Sequence, residues 1–235
     1  MTMWPLLLLL LVIITTVLFY HSQKQRNKKI TLWQNALALD KHFAVFQQLY
    51  ADMNGFALSK EARLDSDALE YVYGEIEFES FIALLSLCHP DSSTVFYDLG
   101  SGTGKAVLAC AMVFNVKKSC GIELFASLHQ SAELQKQRLS ERPGYLEIAS
   151  CIDFKKGDFL QIPFDDASLI FINATAFFGE AWQTISKSVE QIKPGSLVIT
   201  TSKALTSNLF ACLRTTKVAM SWGIVNAFIQ QRLNI

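Results

Sequence analysis

Thr94-Val95-Phe96-Tyr97-Asp98-Leu99-Gly100-Ser101-Gly102-Thr103-Gly104-Lys105 is the stretch on which the reading of this chain turns. A β-branched and aromatic run reaches an acidic residue, breaks into three alternating glycines and continues as a helix through Val107, Leu108 and Met112. That is the pattern of strand, tight loop and helix N-terminus. Glycines let the backbone take positive φ and come close to a ligand, and the first helical turn supplies unpaired N–H groups and the positive end of a dipole. The stretch reads as a nucleotide-type cofactor loop; the plainer alternative is a glycine-rich βα turn that holds nothing.

Spacing narrows the ligand. A dinucleotide fingerprint requires G-x-G-x-x-G, whereas these glycines stand at 100, 102 and 104 and Lys105 takes the place of the third dinucleotide glycine. Lys118 to Glu123 reads as the next strand, ending Gly121-Ile122-Glu123, and a carboxylate there can accept both ribose hydroxyls of an adenosine. A solvated strand-end glutamate is the alternative. Ile152 to Phe159 reads as a third strand that delivers Asp158 and Phe159, an acceptor and a ring suited to adenine, although Gly157-Asp158 is also an ordinary turn pair. Ala167 to Ala174 is a fourth buried strand and brings Asn173 to the same carboxyl edge, where open parallel sheets bind ligands.

The flanking sequence sets the context. Met1 to Gln23 has no charge, and Trp4 to Tyr20 is almost wholly apolar, close to the roughly 18 residues that suffice to cross a bilayer as a helix. Lys24, Arg26, Lys28 and Lys29 follow at once, so the expected arrangement is a single membrane span with a cytoplasmic catalytic domain. A cleaved signal peptide would carry a positive leading region and an A-x-A-like site, which these residues do not show. All 21 acidic residues lie after position 30, leaving the remainder with 17 basic against 21 acidic side chains. A body of that sign lacks the electrostatic footprint of a protein that grips nucleic acid by its phosphates. The five cysteines form no C-x-x-C pair and read as reduced, and His21, His42, His89 and His129 form no ligand-spaced cluster, so no metal is expected.

With 235 residues and 51% hydrophobic content, the chain can bury one full core. The expected division is an anchor over 1–23, a basic juxtamembrane segment and helical extension over 24–70, and a catalytic domain over 71–235. Leu32, Leu37, Leu39, Phe43, Phe46 and Leu49 give the extension its helical spacing. Gly74 is either a helix C-cap or part of a ligand loop. Asp65, Asp67, Glu70, Glu75, Glu77 and Glu79 make the approach to the next helix acidic, as a solvated face or as a surface that steers a cationic substrate. A helix over Leu124 to Leu139, a strand over Ser196 to Thr201 and an antiparallel end over Val218 to Trp222 and Val225 to Gln230 complete the pattern.

The motif Asp98-x-Gly100-x-Gly102-x-Gly104 resembles the first motif of class I S-adenosylmethionine-dependent methyltransferases. The ordered set adds Tyr73-Gly74-Glu75, Gly121-Ile122-Glu123, Gly157-Asp158-Phe159-Leu160, Phe171-Ile172-Asn173, Thr201-Ser202-Lys203 and Ser221-Trp222. From about Tyr71 onward it resembles the disruptor-of-telomeric-silencing (Dot-one-like) histone lysine methyltransferases. The resemblance implies an α/β, Rossmann-like fold with a seven-stranded, mostly parallel sheet and helices on both faces, here behind an N-terminal transmembrane helix. It implies S-adenosylmethionine as cofactor and a protein lysine amine as acceptor, methylated by direct in-line attack. By position, Tyr73 and Glu75 would line the cofactor loop with Ser101, Gly104 and Lys105, while Asp98, Gly100 and Gly102 would hold the methionine end. Glu123 would take the ribose, Asp158 and Phe159 the adenine, and Asn173, with Tyr73 the catalytic pair, would stand where cofactor and lysine channel meet. Phe177, Phe178 and Trp222 are candidates for the channel wall, against a plain role in the core.

This chain departs from the family at Lys105, commonly Gln, at Ala174, a second Asn in the family, and at Ala227-Phe228, where the family has an aromatic pair. Asn173-Ala174-Thr175-Ala176-Phe177-Phe178 also lacks the Pro-Pro-aromatic sequence typical of methyltransferases that act on bases. Two other classes stay open: a methyltransferase for a small molecule or lipid at the membrane, and a non-catalytic cofactor-fold module.

Overall fold

Strand β1 (Val95–Leu99) is buried at all five positions, as a central parallel strand covered on both faces should be. In the computed structural model, which describes residues 4–62 and 74–234, β1 pairs in parallel with β2 (Lys118–Glu123) on one side. Strand β3 (Ile152–Lys156) lies beyond β2. On the other side of β1 come β4 (Leu169–Ile172) and then β5 (Leu197–Thr201), both parallel. The hairpin of β6 (Phe210–Met220) and β7 (Gly223–Arg232) closes the sheet antiparallel, giving the order β3-β2-β1-β4-β5-β7-β6. The chain runs outward from β1 to β3 and then returns to the far side of β1. That reversal opens a crevice between β1 and β4 at the carboxyl edge.

The described helices are α1 (Trp4–Ala36), α2 (Leu39–Tyr50), α3 (Gly55–Ala62), α4 (Phe78–Ser86), α5 (Lys105–Val113), α6 (Ala126–Ser140), α7 (Leu146–Ser150) and α8 (Gly179–Ser188). On one face of the sheet Tyr97, Leu99, Ile122, Ile170 and Val198 pack with Trp182 and Ile185 of α8. On the other, Phe81 of α4 meets Phe96 and Phe171 at centroid separations of 6.1 and 5.2 Å. There too Ser119 of β2 donates to the Val107 carbonyl of α5 at 2.8 Å. The mixed sheet with helices on both faces matches the expected architecture.

Several boundaries differ from expectation. The chain divides into two compact units, Met1–His42 and Phe43–Ile235, so the body starts well before residue 71. The cause is aromatic packing that lies far away in sequence: Phe43 and Phe46 lie 5.2 and 4.7 Å from Phe78 between ring centroids. In the first unit α1 runs unbroken for 33 residues, so the expected break between anchor and basic segment falls inside one helix. From Leu8 to Tyr20 its large apolar side chains are 46–69% exposed, and among the described residues it is the helix long and apolar enough to cross a bilayer. Strand β3 stops at Lys156 because Gly157, at φ 148°, turns the chain before Asp158 and Phe159. Trp222 occupies the two-residue turn between β6 and β7 rather than a strand.

Gly104, expected in the cofactor loop, serves the core instead. It caps α5 at φ 82°, and a Cβ there would stand 2.6 Å from the Phe154 ring and 2.9 Å from Ala132. We expect Gly104→Ala to cost about 2–4 kcal/mol through left-handed strain plus overpacking. An unfolding free energy from urea denaturation lowered by less than a tenth of that amount would contradict this packing role.

Candidate functional site

The crevice between β1 and β4 opens into a cavity of about 570 Å³, within the usual range for small-molecule sites. The ends of the first four strands all reach it, through Asp98, Glu123, Asp158 and Asn173. Gly100, Ser101, Gly102, Lys105, Phe159 and Glu75 also line it, whereas Gly104 does not. Tyr73 lies outside the described residues.

The glycine loop is fastened to β2. The N–H groups of Gly100 and Ser101 both donate to the Ile122 carbonyl, at 2.9 and 3.0 Å, and Gly104 N–H donates to the Ser101 carbonyl at 2.8 Å. Gly102 N–H donates to Glu123 Oε2 at 2.8 Å. These amides are therefore spent within the fold, and the loop offers close approach rather than a row of free donors. Positive φ at Gly100 (85°) and Gly102 (54°) makes that path possible. Gly121 on β2 leaves room for Ser101, whose side chain would lie 2.6–2.7 Å from a Cβ there. Ser101 Oγ is buried on the cavity wall and finds no hydrogen-bond partner among the described residues.

Two acids dominate the electrostatics. Glu123 is 6% exposed, and its second oxygen accepts the Phe125 N–H at 2.9 Å. Burial raises its pKa, while the amides of Phe125, Gly102 and Leu124 pull the other way. Asp98 is buried too, but among the described residues no donor reaches its carboxylate. Burial, and then the neighbouring Glu123 charge, push Asp98 up to about 8. Such a group is a poised acceptor for a cationic ligand. It also costs stability once ionised, since an unfolded Asp titrates near ~3.9 while the folded one holds its proton to about 8.

The other expected residues are distributed unequally. Asn173 lines the cavity, and its amide is engaged: Nδ2 donates to the Gly74 carbonyl at 3.0 Å, and Oδ1 accepts Thr175 and Thr201 hydroxyls at 3.0 and 2.8 Å. It ties three segments together at the cavity wall. Asp158 folds its own turn by accepting the Leu160 N–H at 2.8 Å, and it still faces the cavity. Phe159 and Phe177 form an edge-to-face wall with centroids 6.2 Å apart. Phe178 and Trp222 do not line the cavity. Phe178 is 63% exposed beneath the Lys203 ammonium, which also donates to the Phe177 carbonyl. Trp222 lies over Gly74, where a Cβ would fall 1.9 Å from its ring, and Gly74 itself lines the cavity; the residues of a helix that it could cap lie outside the described residues.

Other contributors escaped the sequence reading. Tyr50 of α2 braces the glycine loop by donating to the Thr103 carbonyl at 3.1 Å. Ser59 of α3 is buried and lines the cavity, and Ala181, Thr184 and Ile185 of α8 line its other end. The spacing of Phe43, Phe46 and Tyr50 was the available signal for the brace; an isolated serine gives none. From the titration of Asp98, the ligand-free protein should lose stability as pH rises from about 4 to about 8. Asp98→Asn should flatten that slope and stabilise the free protein by about 2–5 kcal/mol at pH 9. Urea melts between pH 5 and 9 check this, and a slope unchanged by the substitution would refute it.

Comparison with known proteins agrees with this geometry. The family described as “Histone methylation protein DOT1” matches residues 65–227. The histone-lysine N-methyltransferase, H3 lysine-79 specific, of Kluyveromyces lactis is 27% identical over 136 residues, which cover 55% of this chain and 24% of that protein. A protein-lysine N-methyltransferase of Saccharolobus islandicus is 26% identical over 118 residues, 49% of this chain and 66% of the relative. The chain thus spans about a quarter of the length of the first relative. Among solved structures, an RNA methyltransferase from Salinibacter ruber in complex with S-adenosyl-L-homocysteine superposes with a TM-score of 0.54 at 20% identity, covering 67% of this chain and 92% of that one. That likeness is one of fold. On the match over residues 65–227, this chain belongs to the family of the histone methylation protein DOT1.

Proposed function

We propose that this chain is a membrane-anchored, S-adenosylmethionine-dependent methyltransferase that transfers a methyl group to a protein lysine amine. The observation that carries the reading is the buried carboxylate of Asp98, which no donor among the described residues reaches, beside Glu123 on the wall of the cavity. The acceptors fit the cofactor. S-adenosylmethionine presents an ammonium, two ribose hydroxyls and an exocyclic amine, all donors, and Asp98, Glu123 and Asp158 offer acceptors along one wall. A dinucleotide's pyrophosphate would meet the same carboxylates as like charges.

The bound cofactor supplies an electrophilic methyl group, so neither a metal nor a protein nucleophile is needed. What the chain supplies is alignment and a controlled environment. Asp98 would hold the ammonium, Glu123 the ribose, and Asp158 with Phe159 the base. Asn173, fixed by three hydrogen bonds, keeps the β4 edge and the Gly74 loop at one spacing. Phe171, Ala176, Phe177 and Ile185 give the cavity an apolar flank, which favours the neutral form of an entering lysine amine by desolvation.

A protein lysine as acceptor draws its support from family membership and from the activities for which the relatives in K. lactis and S. islandicus are named. Anchoring draws on α1, whose exposed apolar stretch leads directly into Lys24, Arg26, Lys28 and Lys29. The catalytic unit would then face the cytoplasm. Calorimetric titration of the chain in detergent micelles should show micromolar binding of S-adenosylmethionine, none of NAD, and at least a tenfold loss in Glu123→Ala. Labelled methyl groups should then appear on lysine in a screen of membrane and basic proteins. Labelling confined to lipid extract would overturn the lysine assignment, and failure of a folded chain to bind S-adenosylmethionine would overturn the whole reading.

A further inference from the structure

Lys105 is the first residue of α5, a position where the helix dipole disfavours a cation. Its ammonium lies 2.6 Å from Glu75 Oε2 and 5.2 Å from the centroid of the Tyr50 ring. Glu75 is delivered by a segment docked on the β6–β7 hairpin. Ser221 N–H donates to the Glu75 carbonyl at 2.8 Å, Glu77 N–H donates to the Ala219 carbonyl at 3.0 Å, and Ile76 forms a bridge with Met220. Both members of the ion pair line the cavity. The wall that carries Asp98, Glu123 and Asp158 therefore has a fourth carboxylate already matched by an internal cation.

We infer that Lys105 sets how strongly the site distinguishes the cofactor before transfer from the product left after it. The inference rests on the S-adenosylmethionine reading of the cavity. The two forms differ by one positive charge: S-adenosylmethionine carries a sulfonium, and S-adenosylhomocysteine a neutral thioether. Negative charge on the wall favours the sulfonium form, and a lysine that neutralises one of its carboxylates reduces that preference. With Lys105 in place, product competes well with cofactor, and occupancy follows the ratio of the two rather than the cofactor level alone.

The experiment is calorimetric titration of the full chain in detergent micelles with S-adenosylmethionine and, separately, S-adenosylhomocysteine. The quantity read is the ratio of the product Kd to the cofactor Kd. Lys105→Gln should raise that ratio about threefold to tenfold, the size expected for a unit charge in a partly screened site. Lys105→Arg should leave it near the wild-type value, and Glu75→Gln should move it in the opposite direction to Lys105→Gln. If the pair only held the Gly74–Glu77 segment in place, both neutral substitutions would weaken both ligands alike. An unchanged ratio in Lys105→Gln, or shifts of the same sign in the two variants, would overturn the inference while leaving the cofactor assignment intact. A wild-type chain that binds neither ligand would overturn both.

Discussion

The Glu123 carboxylate is the interaction on which the site depends. One oxygen holds Gly102 at the middle of the loop after β1 and the other holds Phe125 in the loop after β2, so a single buried side chain ties two cavity walls together. The parallel register of Asp98 with Gly121 puts Asp98 two residues away from this tie, across the strand pair. The two acids consequently share one poorly solvated space. Backbone amides compensate Glu123, and among the described residues nothing comparable meets Asp98. An unmet acceptor in a packed fold is expensive to keep, and a ligand cation is the natural partner for it.

The distant motifs converge for mechanical reasons. The Gly74–Glu77 segment runs along the hairpin turn at Ser221 and Trp222, and Gly74 yields space to the Trp222 ring. Asn173 Nδ2 then grips the Gly74 carbonyl from the other side. Segments about 150 positions apart in the chain thus form one rim, with the β4 edge as its third member. Lys105 fastens that rim to the glycine loop through Glu75, and Tyr50 braces the same loop from α2.

Much of this was legible in the residues. The apolar run into Asp98, the alternating glycines and the strand-end acid at 123 located the carboxyl edge and the cavity wall, because local backbone requirements leave direct marks on sequence. The ordered motifs pointed to the right family and sheet. What stayed hidden was decided by contacts far apart in the chain. Gly104 looked like a ligand glycine, and its reason is the Phe154 ring packed against it. The close approach offered by the loop was readable from its glycines, but not that the Ile122 carbonyl takes the amides of Gly100 and Ser101. Phe178 and Trp222 had the right chemistry for a channel, but a lysine stack and a turn position carried them outside the cavity. Ser59 and Tyr50 reach the site from helices whose pattern shows only that they are amphipathic.

The central claim is that Asp98 waits protonated for a cationic ligand and gives up its proton when that ligand binds. Its most direct test is the affinity of the wild-type chain for S-adenosylmethionine measured calorimetrically from pH 6 to 7.5, in buffers of differing ionisation enthalpy. With a free-state pKa of about 8, affinity should strengthen about tenfold per pH unit over that range, with close to one proton released per ligand bound. An affinity independent of pH, with no proton release, would mean that Asp98 does not exchange a proton for the ligand cation, and the central claim would fail.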